Sequence, residues 1–293
     1  MNVELVRTHA ADGVRLDGAL REPVAAGNSR LPVDLVIMHH GVGGNFYNQH
    51  FFEPMGQALL ERGCAVLRVN NRGHDLAYNS PAGRLGAAFE MVDDCRRDWT
   101  AWLDFAAARD YRRIGVWGHS LGAVKTIYFL AVQGDPRVGC AVASSPPRFS
   151  YSAYTARSDR AVFLACYERA RQMLDEGRPH DLLAVDIPTS VVLTARTYMD
   201  KYGPDARYDI LSHLPNVPIP LLVTIGGEEG ARPDSADRFP FGGLANEVAA
   251  LSERVPDLTF ALVPAADHFY TGVTDALWAT VERWLTRVGA VSA

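Results

Sequence analysis

The order of elements in this chain predicts an α/β fold, a mostly parallel sheet with helices on both faces and an inserted segment near its carboxyl edge. Three observations carry that expectation. Short continuous apolar runs such as Val33–Met38 and Ile219–Ile225 have the pattern of strands buried on both faces. Between such runs lie segments with the period of amphipathic helices, joined by short connections, as in strand–helix–strand units. A chain of 293 residues, 48% hydrophobic and 22% charged, is also long enough and apolar enough to bury one large core.

Val3–Arg7 and Val14–Arg21, separated by Ala11-Asp12-Gly13, read as an opening hairpin. Val33–Met38 then runs into His39-His40-Gly41-Val42-Gly43-Gly44. Phe51–Arg62 is helical in period and stops at Gly63. Cys64–Val69 is the next strand and ends in Asn70-Asn71-Arg72-Gly73-His74-Asp75. A long helix is expected over Phe89–Arg109. After it, a strand from Arg113 passes through Gly118-His119-Ser120-Leu121-Gly122 into a helical run, Ala123–Val132. Strand Gly139–Ala143 ends at Ser144-Ser145-Pro146-Pro147. The alternation then breaks. From Arg148 to Pro215 there is a helical pattern at Ala161–Glu176 and Tyr-rich sequence, with no clear buried strand. The rhythm resumes with Ile219–Ile225, helix Leu244–Arg254, strand Leu258–Val263 and helix Thr274–Arg287. Residues 1–147 and 216–293 therefore read as the core domain, and residues 148–215 as an inserted cap or lid. The aromatic residues Phe149, Tyr151, Tyr154, Phe163, Tyr167, Tyr198 and Tyr202 are equally suited to lining a pocket and to packing the cap on itself.

A net charge of −5 without a basic tract argues against nucleic acid as a partner. Lys125 and Lys201 are the only lysines, which reads as a GC-rich genome rather than as function. The N-terminus lacks a basic segment followed by an apolar run, and no apolar stretch is long enough to span a bilayer. Cys64, Cys95, Cys140 and Cys166 are scattered, as expected of reduced, mostly buried thiols in a cytoplasmic protein.

The chemistry gathers at Gly118–Gly122. A serine between two glycines, with a strand before and a helix after, sits on a turn too sharp for flanking side chains. Such a hydroxyl is a poor nucleophile at neutral pH and needs a base, for which imidazole is suited. Of nine histidines, His268 lies just after the last strand, where a loop can reach Ser120. His119 is expected to turn away from the serine, His39 and His40 to hold their loop, and His74 to make a turn or touch substrate. His9, His50, His180 and His213 carry no signal. A metal site from His39, His40, His74 and Asp75 is disfavoured, since the chain lacks both zinc-type His spacing and a Cys/His pair. No metal or organic cofactor is called for.

His40–Gly44, Gly118–Gly122 and Ala265-Ala266-Asp267-His268-Phe269-Tyr270, in this order, resemble the oxyanion loop, nucleophile elbow and catalytic-histidine turn of the α/β-hydrolases. The resemblance covers most of the chain outside the cap. Within that superfamily, Gly43–Tyr47 and Asn70–His74 are similar to siderophore-esterase-like hydrolases. It implies Ser120 as nucleophile, His268 as base, and an acid in Gly226-Gly227-Glu228-Glu229-Gly230. Matching Gly226 to the family's Gly-x-x-Asp puts Glu229 at the acid position, with Glu228 and then Asp234 as alternatives. The oxyanion hole would use the N–H groups of Leu121 and of Val42, or of Gly43 in place of Val42. The expected activity is hydrolysis of an ester, lactone or related acyl bond in a small molecule. An amidase, a carbon–carbon hydrolase and a non-catalytic ligand-binding relative stay open.

Overall fold

The computed structural model describes residues 2–24, 29–48, 51–187, 190–230 and 241–291. His50 and Asp234 lie outside them. The strands of the central sheet are β1 (Glu4–His9), β2 (Arg15–Arg21), β3 (Leu35–His39), β4 (Ala65–Val69), β7 (Ile114–His119), β8 (Val138–Ser144), β11 (Leu221–Gly226) and β12 (Leu258–Val263). Their spatial order is β1-β2-β4-β3-β7-β8-β11-β12. The β1–β2 and β2–β4 pairs are antiparallel, and every pair from β4 to β12 is parallel.

Strand periodicity divides the core in two. Leu35 and Ile37 of β3 join one apolar cluster, while Val36 and Met38 join the other. The first cluster takes Trp99 and Leu103 of α2 (Cys95–Ala108), Val124 and Ile127 of α3 (Leu121–Val132), and Leu244 and Val248 of α9 (Leu244–Ser252). The second takes Phe52, Met55 and Leu59 of α1 (Phe52–Glu61), and Leu277, Val281 and Trp284 of α10 (Thr274–Val291). Helices thus cover both faces. Every residue of α3 from Leu121 to Leu130 is buried, because it is packed by α2 and by the inserted segment as well as by the sheet.

One expectation is corrected, and two small strand pairs are added. The segment Phe89–Arg109 is helical only from Cys95, after a 3-10 turn at Val92–Asp94. Its first residues are drawn off by tertiary partners, with Glu90 buried against Lys125 and the Val92 amide donating to Asp200 at 3.0 Å. A small hairpin of β5 (Tyr78–Ser80) and β6 (Gly83–Leu85) follows the Arg72 turn. The inserted segment also carries an antiparallel pair, β9 (Leu182–Val185) and β10 (Val191–Thr194). In β9 exposed and buried residues alternate, so a search for fully buried runs passes over it.

The insertion departs from β8 and returns at β11, which are neighbours in the sheet. Besides β9 and β10 it contains α4 (Tyr151–Thr155), α5 (Arg160–Asp175), α6 (Ala195–Tyr202) and α7 (Ile210–His213). Its aromatic residues pack on one another. Tyr154 lies 5.1 Å from Phe163, Tyr198 lies 5.1 Å from Tyr202, and Phe149 lies 5.2 Å from Tyr202, centroid to centroid. These five are buried and continue the first apolar cluster of the sheet; Tyr151 and Tyr167 are only partly buried against it.

Candidate active site

Ser120 stands between β7 and α3 with φ 54° and ψ −123°, a conformation a side chain rarely adopts. The glycines around it are required by space. A Cβ on Gly118 would lie 2.2 Å from the Gly122 carbonyl oxygen, and one on Gly122 would lie 2.4 Å from that of His39. The serine backbone is held by its N–H donating to the Ser144 carbonyl at 2.9 Å.

His268 Nε2 is 3.0 Å from Ser120 Oγ, and its Nδ1 hydrogen-bonds Glu229 Oε1. A carboxylate only accepts, so Nδ1 carries the proton and the Nε2 lone pair faces the serine. Glu229 lies in the single helical turn α8 (Gly227–Gly230). Successive residues of such a turn point about 100° apart, so Glu229 is buried against His268 while Glu228 is turned outward and exposed. The loop bearing His268 crosses directly over Gly226, where a Cβ would meet the Ala266 carbonyl at 2.5 Å. Asp267 Oδ1 pins the same loop by accepting from the Phe269 and Thr271 amides, both at 2.9 Å.

His119 does turn away from the serine, and it holds the loop that bears His268. Its Nε2–H donates to the His268 carbonyl at 2.8 Å. Burial pushes its pKa down to about 3, so it is a neutral donor at working pH.

The loop after β3 lies on Ser120, since a Cβ on Gly41 would come 2.9 Å from the serine Cβ. The Gly41 carbonyl accepts from His40 Nδ1–H at 2.8 Å and from the Gly44 amide at 3.3 Å. A trans peptide is planar, so the Val42 N–H of that unit points to the opposite side. Among the described residues this amide donates to no other group. Leu121, first in its helix, likewise has no intrahelical acceptor. His40 is fixed in turn by the Asn71 amide, which donates to Nε2 at 3.3 Å, and burial lowers its pKa to about 3.

Behind Asn71 lies a cluster that composition alone would pass over. Lys125 Nζ donates to Asn71 Oδ1 at 3.0 Å and pairs with Glu90, while Lys201 Nζ approaches the other Glu90 oxygen at 3.6 Å. Both lysines of the chain are thus buried on one carboxylate. His74 sits outside this cluster, paired with Asp75 at 2.8 Å and stacked on Tyr78. Among the described residues no group of three or more His, Cys, Asp or Glu is arranged to hold a metal, and the four cysteines are unpaired. No described helix is long and apolar enough to cross a membrane.

A model of the alpha/beta hydrolase family matches residues 36–279. The chain belongs to that family. No curated protein sequence matches this alpha/beta hydrolase. Among solved structures it is similar to Est1E from Butyrivibrio proteoclasticus, at 17% identity over 98% of this chain and 99% of that one, with a TM-score of 0.64. The alpha/beta hydrolase GrgF from Penicillium sp. sh18 aligns at 16% identity over 99% and 100%, with a TM-score of 0.68. The Pyrococcus furiosus esterase Pf2001 aligns at 18% identity over 98% and 90%, with a TM-score of 0.61. At these identities the likeness is one of fold.

Sequence reasoning does not single out Ser144, Ser145, Thr224 and Tyr270, which meet beneath Glu229. The available signal was positional. In a parallel sheet, polar residues at the carboxyl ends of adjacent buried strands must face one another.

Proposed function

We propose that this chain is a serine hydrolase that cleaves a carboxylic ester, lactone or related acyl bond of a small molecule. The observation that carries the reading is the continuous line from Ser120 Oγ through His268 to the buried Glu229. Ser120 attacks the acyl carbon while His268 Nε2 takes its proton, and Glu229 orients the ring and stabilises the imidazolium. The N–H groups of Val42 and Leu121 receive the oxyanion. His268 then returns the proton to the leaving group, and water activated by the same imidazole releases the acyl-enzyme. Residues 148–215 act as a cap over the sheet's carboxyl edge, with residues 1–147 and 216–293 as the catalytic core. Four unpaired thiols support a cytoplasmic setting.

Hydrolysis of a p-nitrophenyl ester series from acetate to octanoate, by wild type and Ser120→Ala side by side, tests this. Turnover that depends on Ser120 is expected, and the chain-length optimum sizes the acyl pocket. Undiminished turnover in a folded Ser120→Ala variant overturns the nucleophile assignment. A folded wild type inert to every ester and to fluorophosphonate favours a ligand-binding role.

A further inference from the structure

Glu229 Oε1 faces His268, and the other oxygen is held from below. Gly226 N–H donates to Oε2 at 3.0 Å, and Ser145 Oγ lies 2.6 Å from the same atom. Beyond Ser145, the Tyr270 hydroxyl is 3.0 Å away, Thr224 Oγ1 is 2.8 Å from that phenol, and Ser144 Oγ is 3.0 Å from Thr224. Trp117 Nε1 closes the series, 2.9 Å from Ser144 Oγ. Ser144, Ser145, Thr224 and Tyr270 are wholly buried, and among the described residues none of the hydroxyls is left without a partner.

A carboxylate only accepts and a hydroxyl has one proton, so Ser145 Oγ–H donates to Glu229 Oε2. At the far end Ser144 Oγ accepts twice, from Trp117 Nε1–H and from Thr224 Oγ1–H. The Tyr270 hydroxyl donates to the Thr224 carbonyl at 3.2 Å and lies beside Ser145. Hydrogen bonds are stronger where water is excluded, and a buried polar group that loses its partner is costly.

We infer that Ser145, with Tyr270 behind it, forms a short buried hydrogen-bond relay that holds the Glu229 carboxylate aimed at His268, with Ser145 and Tyr270 as its positioning residues. The inference rests on the assignment of Ser120, His268 and Glu229 above. No proton need move along the relay; it works by the orientation of its dipoles. Burial and the Glu229 charge push the Tyr270 phenol well above its usual pKa, so it stays a donor. The backbone of Ser145 sits at φ 49°, where a serine is retained at a conformational cost that glycine would relieve. A residue kept in that conformation only for packing would have little use for its hydroxyl.

The test needs no knowledge of the substrate. It is the rate at which a fluorophosphonate labels Ser120, measured from pH 4 to pH 9 in the full chain. Without its relay the Glu229 carboxylate is less stabilised, so its own protonation and that of His268 both move to higher pH. The acidic limb of the labelling profile therefore moves up, by about one pH unit in Ser145→Gly. Tyr270→Phe, which keeps its ring against Phe51, gives a smaller shift in the same direction. The other titratable groups around the pair are His119, Asp267 and Glu228, which no variant alters. Ser145→Gly relieves backbone strain, so its fold is expected to hold, and a thermal melt verifies this. Profiles in Ser145→Gly and Tyr270→Phe that coincide with a labelled wild type overturn the relay and leave the serine-hydrolase reading standing. A wild type that takes no label, or labels equally as Ser120→Ala, overturns that reading and the relay with it.

Discussion

Two buried networks flank Ser120, and they are built from opposite materials. On the β11–β12 side, Glu229 and His268 are held by neutral hydroxyls and backbone groups, every one of which has a partner. On the β3–β4 side, the Gly41–Val42 loop is backed by His40 and Asn71, and behind them by Lys125, Glu90 and Lys201. There Lys201 Nζ and one Glu90 oxygen are buried without a hydrogen-bond partner among the described residues. The contrast separates two tasks. A neutral relay can be cut at little cost to folding and should register in the chemistry. A buried charge cluster cannot lose one member without stranding the rest, so it should register first in stability.

The largest expected effect is on turnover. Ser120→Ala or His268→Ala should reduce kcat by about 10⁴- to 10⁶-fold with the melting temperature nearly unchanged, as read from ester hydrolysis and calorimetry. On the charged side, Glu90→Gln leaves two buried ammonium groups facing an amide. It should lower the unfolding free energy by about 3–5 kcal/mol in urea titrations. A triple variant with Met at Lys125 and Lys201 and Leu at Glu90 should recover most of that loss. If it does not, the cluster does more than balance charge.

Next in size is the oxyanion loop. His40→Leu removes the donor that turns the Gly41–Val42 peptide, and kcat should fall about 10²-fold with KM little changed. His40→Asn, whose amide nitrogen can stand where Nδ1 stands, should restore most of it.

Both sides also contain a neutral buried histidine, His40 or His119, each with its pKa lowered by burial from 6.5 to about 3. Their folded values lie below the unfolded one, so the stability they contribute is complete above pH 6.5 and is lost as pH falls toward 3. The slope is up to about 1.4 kcal/mol per pH unit for each. Glu90, also lowered in the folded state, adds to the loss below its ordinary 4.5. His119→Gln, which can keep a donor to the His268 carbonyl, should flatten the slope in acid titrations of the unfolding free energy. The smallest effect is expected at Glu228→Gln, an exposed neighbour of Glu229, within about 0.5 kcal/mol on stability and within a few-fold on kcat.

Much of this is legible in the amino-acid sequence. The buried strands β3, β4, β7, β8, β11 and β12, the sharp turn at Ser120 and the turn at His268 follow from apolar runs and from glycines at places where only glycine fits. The helix start at Cys95 is not legible, because its flanking residues are taken by partners far along the chain. Nor is the choice between pocket and packing for the aromatic residues of the insertion. Composition does not say what an aromatic ring faces, and Phe163 and Tyr198 face each other.

The sequence by itself determined what is local and periodic: the fold class, the sharp turn at Ser120 and the turn that carries His268. Such features depend on backbone sterics and on the spacing of neighbouring residues, both of which are written in order along the chain. Only the tertiary structure decided that Glu229 rather than Glu228 meets His268, that side chains from separate elements line up beneath it, and that two lysines far apart in the chain share Glu90. These depend on which strand ends lie side by side. Long-range register sets that, and no short stretch of sequence records it.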